Sequence, residues 1–477
     1  MGSNIKRELF SETDFRQFRK ILRKETRVLM DWFSSDVFEE TADICGFELE
    51  GWLVNRSSEP EPRNEEFLKR IQGSLVVAEL SKYNFEINTT PHPFDANLPS
   101  HLLDELTATW ETCLSQAAGM DCMVLMIGIL PTIEDRMLTL ENMSPLQRYA
   151  ALNREILRSR KRKPMKIHIE GEKDVLDVTH HDVMAEAATT SLQIHLQVSP
   201  STAAHHYNNA HILSAPMVAV AANSPFLYGK ELWEETRIPL FEQAVRLPSF
   251  TDKNGRIISR VTFGTGYVSN SLMEVFLENL DGFPVLLPEI FDQDFNRLNH
   301  LKLHNGTIWR WNRPLVGLNE HGTPHLRIEH RVPSAGPSIP DVVANILFFF
   351  GAMHYLLEQS SEEMIPFEDA RNNFYLAAKE GLDARIVWKN GIRSPVRDTL
   401  LEELLPGARR SLLKKGIEPD EAEHYLDGIL RQRTATGRTG AAWQKAFIRR
   451  HGPVFREMTQ VYQENQNQQM PVHRWTT

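Results

Sequence analysis

The chain has 477 residues, of which 41% are apolar and 24% charged, and a formal charge of −10. This is the composition of a folded chain with room for one large domain or two to three ordinary ones, and it excludes a disordered one. The acidic balance argues against a general attraction for nucleic acid or anionic membrane. Three cysteines without CxxC spacing, Cys45, Cys113 and Cys122, argue against a zinc knuckle or a disulfide framework.

The first 27 residues are polar and charged, unlike a secretory signal, and the longest apolar run, 346–357, is too short to span a bilayer. A soluble, cytoplasmic protein is expected. Phe15, Phe18, Leu22, Thr26, Leu29 and Phe33 recur at three- and four-residue steps and predict an amphipathic helix over 13–33. The stretch 46–55 then alternates apolar and acidic residues, which predicts a strand. It places Glu48 and Glu50 on one face and Phe47 and Leu49, joined by Trp52, on the other. Two carboxylates that close repel, and burying them calls for a cation between them, for which oxygen ligands favour Mg2+ or Mn2+. The plainer reading is a solvent-facing strand.

A second acidic stretch follows. Val76, Val77 and Leu80 suggest a strand, residues 83–88 alternate again, and a Ser-Lys-Tyr-Asn turn signal lies between Glu79 and Glu86. The two carboxylates fall either on adjacent strands or at the ends of one bent strand. Residues 97–118 and 142–157 read as helices, 122–131 as a buried strand, and the basic stretch 158–166 as a solvated loop or, less simply, a polyanion site. In 191–198, Gln193, His195 and Gln197 share one face of a strand whose other face is apolar, the pattern of a lined cavity. A helix rich in small residues spans 203–222, and Arg237 beyond it is either a surface cation or a bidentate clamp for a carboxylate. Arg310 and Arg313 precede a strand over 325–331 that puts Arg327, Glu329 and Arg331 on one face. Helices are expected over 341–357, 367–374, 400–413, 422–430 and 442–461, and the Gln- and Asn-rich last dozen residues read as disordered.

No GxxxxGK[ST], GxGxxG, HExxH or GxSxG motif is present. The chemistry must therefore come from the strand-borne acids, His195 and the arginines. Five carboxylates on apolar-backed strands share a cleft only with cations. Hard metals beside a ring of arginines are what phosphoryl transfer requires.

The segments GFELEGW, ELSKYNFEINTTPHPF, SLQIHLQV, ANSPFLYGKELWEETRIPLFEQ and LRIEHRVPSAGPSIPDVVAN occur in this order. Together they resemble the carboxylate–amine ligase branch of the glutamate–cysteine ligase family. The resemblance runs from about residue 46 to 351 and more weakly through the C-terminal part. It implies an α+β fold like the glutamine synthetase catalytic domain. There, a curved, mostly antiparallel sheet forms an active-site funnel with helices on its outer side, and a helical C-terminal part follows. The implied division is an N-terminal helical extension (1–45), a catalytic domain (46–357), a helical part packed on it (358–465) and a disordered tail (466–477).

The resemblance also implies roles. Glu48, Glu50, Glu79, Glu86, His195 and Glu329 would hold Mg2+ or Mn2+ around ATP. Arg313, Arg327 and Arg331 would be the catalytic arginines, with Arg313 and Arg331 facing the transferred phosphoryl group. Arg237 and Gln193 would bind the substrate, Arg237 through its carboxylate. The implied reaction phosphorylates a carboxylate, the γ-carboxyl of glutamate in the first instance, and couples it to an amine such as cysteine with release of ADP and phosphate. Amino-acid and amine substrates are the expected partners, without nucleic acid or membrane, and a homo-oligomer is compatible with the apolar C-terminal helices. A metal-dependent amidohydrolase and a non-catalytic nucleotide- or amino-acid-binding relative are the rival readings.

Overall fold

The computed structural model describes residues 5–40, 43–71, 73, 75–247, 250, 251, 257–292, 294–359 and 364–477. Of the expected N-terminal extension, residues 1–4, 41 and 42 lie outside them.

Eight strands form one sheet: β1 (Ile44–Val54), β2 (Val76–Ala78), β3 (Asn84–Asn88), β4 (His92–Pro93), β5 (Met123–Leu125), β6 (Leu192–Val198), β7 (Asn312–Leu318) and β8 (Pro324–His330). Their spatial order is β7-β8-β6-β1-β3-β2, with β4 and β5 also pairing to β1, and every pairing is antiparallel. The sheet is curled, and the α+β architecture is the expected one. β1 is its axis. Its first half pairs with β6 on one side, its second half with β5, and β3 lies along the other. Alternation explains why β1 holds its register, since a one-residue slip would put Phe47 and Leu49, both almost fully buried, where the glutamates now stand.

Helices cover the rest: α1 (Glu12–Ser34), α2 (Leu98–Ala118), α3 (Gln147–Ser159), α4 (Ala203–Val220), α5 (Asn299–Gly306), α6 (Ile339–Leu357), α7 (Phe367–Glu380) and α8 (Phe455–Asn467), among others. α6 is long and apolar enough to cross a membrane by composition alone, but 83% of its most apolar window is buried inside the protein, where it packs on α4. It is a core helix.

α1 begins at a Ser11–Asp14 capping box and buries Phe15, Phe18, Leu22 and Leu29, the stripe its spacing predicts. Glu25 lies on that buried face. It accepts from the backbone N–H of Leu301 at 2.7 Å and lies 2.6 Å from His300 Nδ1. The extension therefore caps the first turn of α5, whose Leu301, Lys302 and Leu303 line the central cavity.

Several local expectations change. The apolar run 122–131 is a strand only over Met123–Leu125; beyond it, Met126 N–H donates to Gln466, and the Ile127 and Gly128 carbonyls accept from Trp52, Thr190 or both. Beyond β5 the run is buried because side chains of the C-terminal helix satisfy Met126, and Trp52 and Thr190 satisfy Ile127 and Gly128, in place of a strand ladder. The basic stretch 158–166, by contrast, is solvated as expected: a short exposed turn joins the end of α3 to a hairpin strand beginning at Met165, Arg158 pairs with Glu155 at 2.6 Å, and Arg160 donates to the Pro164 carbonyl at 2.7 Å. The chain end is not disordered. Trp475 is buried, with ring contacts to Tyr462 at 4.9 Å and Trp443 at 5.3 Å, and Asp341 accepts from Val472 N–H and from Arg433. Two tryptophans and a buried ion pair outweigh the polar composition that suggested a tail.

Replacing Glu25 with Ala leaves the buried His300 Nδ1 and the Leu301 N–H unpaired and should cost about 1–3 kcal/mol. A denaturant titration checks this. An unshifted midpoint would show that α1 does not hold α5 in place.

Candidate active site

The sheet register brings the acidic positions together. Glu50 stands opposite Glu86 across β1 and β3, and Val77, next but one to Glu79, stands opposite Glu86 across β3 and β2. On the other side, His195 faces Gly46 on β1 and Glu329 on β8, and Glu329 faces Arg313 on β7. Gly46 has the parity of Glu48 and Glu50 but carries no side chain, so nothing screens His195 from Glu48.

Two triads result. Glu48, His195 and Glu329 offer ligand atoms within 4.8 Å of one another, and so do Glu50, Glu79 and Glu86. Both line one cavity of about 720 Å3. In the first triad His195 Nε2 lies 3.6 Å from Glu48 and 3.5 Å from Glu329, yet it is buried without a hydrogen-bond partner. Burial pushes this imidazole below its ordinary value, which keeps a lone pair free for a ligand. Burial opposes ionisation of Glu48 and Glu329. Even so, His195 and Arg331 hold Glu48, and Arg313 and Arg331 hold Glu329, below the usual carboxylate range.

The second triad lacks such cations. Burial and then the neighbouring carboxylates push Glu50 and Glu79 up to about 7 and Glu86 well above its ordinary value. Two unit charges 4–5 Å apart repel by roughly 3–4 kcal/mol at an effective dielectric of 20, so three ionised glutamates would offset much of a typical domain's stability. Protons or a divalent cation must balance them. The donor set, five carboxylates and one unpartnered imidazole, fits hard cations of the Mg2+ or Mn2+ kind.

Hydrogen bonds fix the ligands from behind. Glu50 accepts from Ser191 N–H at 2.7 Å and from Gln193 Nε2 at 2.9 Å, Glu86 from Asn88 at 2.9 Å, and Glu79 from Leu80 N–H at 3.1 Å. Gln193 also accepts from Arg331, so it ties the two triads together. Arg313 grips Glu329 through two bonds of 2.7 and 2.9 Å, Arg331 adds one at 3.2 Å, and Arg327 lines the cavity with a buried, unpartnered Nε–H. The alternative that placed Glu79 and Glu86 on neighbouring strands is the one observed, with Glu79 just beyond β2.

Two assignments differ. Arg237 is not part of the cavity lining. It is 2% exposed, donates to Glu235 at 3.3 Å and to the Val332 carbonyl, and lies over the Trp311 ring at 5.7 Å. Its helix turns it into the wall, so it supports the site rather than clamping a ligand. Trp52 has the parity of the glutamates, not of Phe47; it stacks on Tyr83 at 5.5 Å and donates to the Ile127 carbonyl.

Residues without a sequence signal also face the cavity. Glu186, on a short 3-10 turn (Met184–Ala188), is pushed up to about 8 by burial and by Glu50. Arg148 and Tyr149 come from the start of α3, and Lys302 from α5. None sits on an alternating strand, so periodicity could not single them out.

The model for glutamate-cysteine ligase family 2 matches residues 44–466. The chain belongs to that family. Its members are ligases that form amide bonds, and the match spans the sheet, both triads and the C-terminal helices. A crystal structure of glutamate–cysteine ligase from Francisella tularensis in complex with AMP superposes with a TM-score of 0.53 at 12% identity, covering 91% of this chain and 90% of that one. A bifunctional glutathione synthetase from Pasteurella multocida gives a TM-score of 0.49 at 11% identity, covering 93% of this chain and 55% of that one. At these identities the likeness concerns the fold. The search of curated proteins found no match.

Divalent cation should stabilise the protein. At a hundredfold excess over Kd, Mn2+ binding at one site adds about 2.7 kcal/mol, read as a rise in Tm. Glu86→Gln and His195→Ala should each shrink that rise. An equal rise in wild type and both variants would place the metal elsewhere.

Proposed function

We propose that this family member is an ATP-dependent carboxylate–amine ligase. It phosphorylates a carboxylate, the γ-carboxyl of glutamate in the first instance, and couples it to an amine such as cysteine with release of ADP and phosphate. The observation that carries this reading is the pair of triads in one cavity, with Arg313, Arg327 and Arg331 beside the first. Family membership and the AMP bound to the Francisella neighbour add support.

Glu48, His195 and Glu329 would hold one divalent cation and Glu50, Glu79 and Glu86 a second, where Mg2+ or Mn2+ neutralises phosphate charge. The chain's own residues do the rest. Arg313 and Arg331, held rigid on Glu329, present positive charge to the transferred phosphoryl group, and Arg327 offers its free Nε–H to the same anion. Gln193 couples the two halves and orients the acid substrate, and Arg237 stiffens the wall through Glu235. A carboxylate is a poor acyl donor in water. Transfer of the γ-phosphoryl group makes it an acyl phosphate, which an amine attacks while phosphate leaves. This chemistry needs position and charge, not a protein nucleophile. An amidohydrolase would favour a more nitrogen-rich metal site than one histidine supplies.

The test is phosphate release with ATP, Mg2+ and glutamate against a panel of amines. Glu329→Gln, which keeps the shape and removes the charge, should lower amine-dependent release about 100- to 1000-fold with the fold intact by circular dichroism. Full turnover in that variant would refute the role of the first triad. Absence of amine-dependent release in wild type across the panel would refute the ligase reading on glutamate.

A further inference from the structure

The charged residues lining the cavity divide unevenly. Of its six carboxylates among the described residues, five belong to the triads and one, Glu186, does not. Of its arginines and lysines, Arg313, Arg327 and Lys302 stand on the side of the first triad, where Arg327 lies in the fields of Glu329 and Glu48 and beside Lys302; Arg331 stands between the triads, bonded to Glu329 and Gln193 and acting on Glu50 and Glu186. Arg148 is the exception. Its charge acts on Glu79 and on Glu186, on the side of the second triad.

Neither group is used by the fold. Among the described residues the Glu186 carboxylate and the Arg148 guanidinium make no hydrogen bond or ion pair, and the one ring contact of Arg148 is with the adjacent Tyr149 at 5.2 Å. A carboxylate turned into a cavity without a partner is costly; the buried Glu25, Glu235 and Asp341 each have both oxygens bonded. Around the pair the wall is apolar, from Val77, Leu80, Leu152 and Val183.

We propose that Glu186 and Arg148 form the acceptor subsite: Glu186 holds the ammonium group of the incoming amine and takes its proton, and Arg148 holds an anionic group on the same molecule. This rests on the ligase reading. Arg313 and Arg327 occupy the opposite end and Arg331 stands between, so an amine approaching from the Glu186 side meets the acyl phosphate where Arg331 faces its phosphoryl group. The amine arrives as an ammonium ion and must lose a proton before it attacks. That proton passes to the Glu186 carboxylate, the C–N bond forms, the acyl C–O bond breaks with its electron pair leaving on phosphate, and the second excess N–H proton is taken by the departing phosphate, which leaves a neutral amide. An acceptor bearing both charges matches the pair; one lacking the anion leaves Arg148 without its partner.

Two nucleophile classes test this, with ATP, Mg2+ and glutamate present. Hydroxylamine is uncharged at neutral pH and traps the acyl phosphate as a hydroxamate without losing an ammonium proton. L-cysteine and L-alanine carry ammonium and carboxylate, and their decarboxylated counterparts cysteamine and ethylamine carry only the first. Glu186→Gln should keep forming hydroxamate to within about threefold of wild type while coupling to L-cysteine or L-alanine falls on the order of 100-fold, loss of a charged partner and a proton acceptor combined. Arg148→Ala should raise KM for the carboxylated amine about tenfold or more and leave KM for its decarboxylated counterpart in place. Equal losses of hydroxamate formation and coupling in the Glu186 variant, or equal KM changes for both amines in the Arg148 variant, would overturn the assignment. So would hydroxamate formation by a wild type that couples none of the four amines. A wild type that forms no hydroxamate refutes the ligase reading on glutamate itself, and the subsite with it.

Discussion

Everything in this molecule is arranged around the cost of burying five carboxylates on one face of a sheet. Left to themselves, Glu50, Glu79 and Glu86 would repel each other by several kcal/mol per pair. Burial raises the cost further, which is why their carboxyls are pushed well up from the ordinary range. A protein retains such a cluster where something positive completes it. On one side the chain supplies that charge itself, as Arg313 and Arg331 around Glu329. On the other it supplies none of comparable closeness. On the proposed ligase reading, that asymmetry would set an end for phosphate apart from an end for the acyl donor and its acceptor.

The rest of the fold keeps that face rigid. β1 runs through the middle of the sheet and takes its register from the apolar side chains behind it, so the acids are set in place by packing they do not take part in. Gln193 is hydrogen-bonded to Glu50 and to Arg331, and the wall behind is braced by Arg237 on Glu235 and Val332. More distant elements act through the same wall: α1 caps α5 through Glu25, and Gln466 and Tyr462 on α8 satisfy the backbone beyond β5. The chain start thus bears on the cavity through α5, and the chain end holds the segment that follows β5, a neighbour of β1.

Strand alternation is a local signal, and it made the inward faces legible. Glu48 and Glu50, then Gln193, His195 and Gln197, then Arg327, Glu329 and Arg331, each show period two, with apolar residues between them except at His330. All six expected ligands meet in two triads. What alternation could not show is depth behind a surface, and Arg237 looked like a clamp because its burial in the wall depends on Trp311, far along the chain. Glu186 and Arg148 lie on a 3-10 turn and a helix start, where neither period applies, and only the tertiary fold turns them toward the second triad. The polar tail misled for a related reason. Composition suggested solvent, whereas Trp443, Tyr462 and Trp475 close on one another across thirty residues of chain.

On the proposed reading the two triads are cation sites facing a nucleotide whose phosphates lie toward Arg313 and Arg331. Crystals grown with Mn2+ and a non-hydrolysable ATP analogue, measured at the manganese edge, test it directly. The expected map has an anomalous peak among Glu48, His195 and Glu329, another among Glu50, Glu79 and Glu86, and the terminal phosphate beside the arginines. Nucleotide bound with no anomalous density in either triad would contradict it.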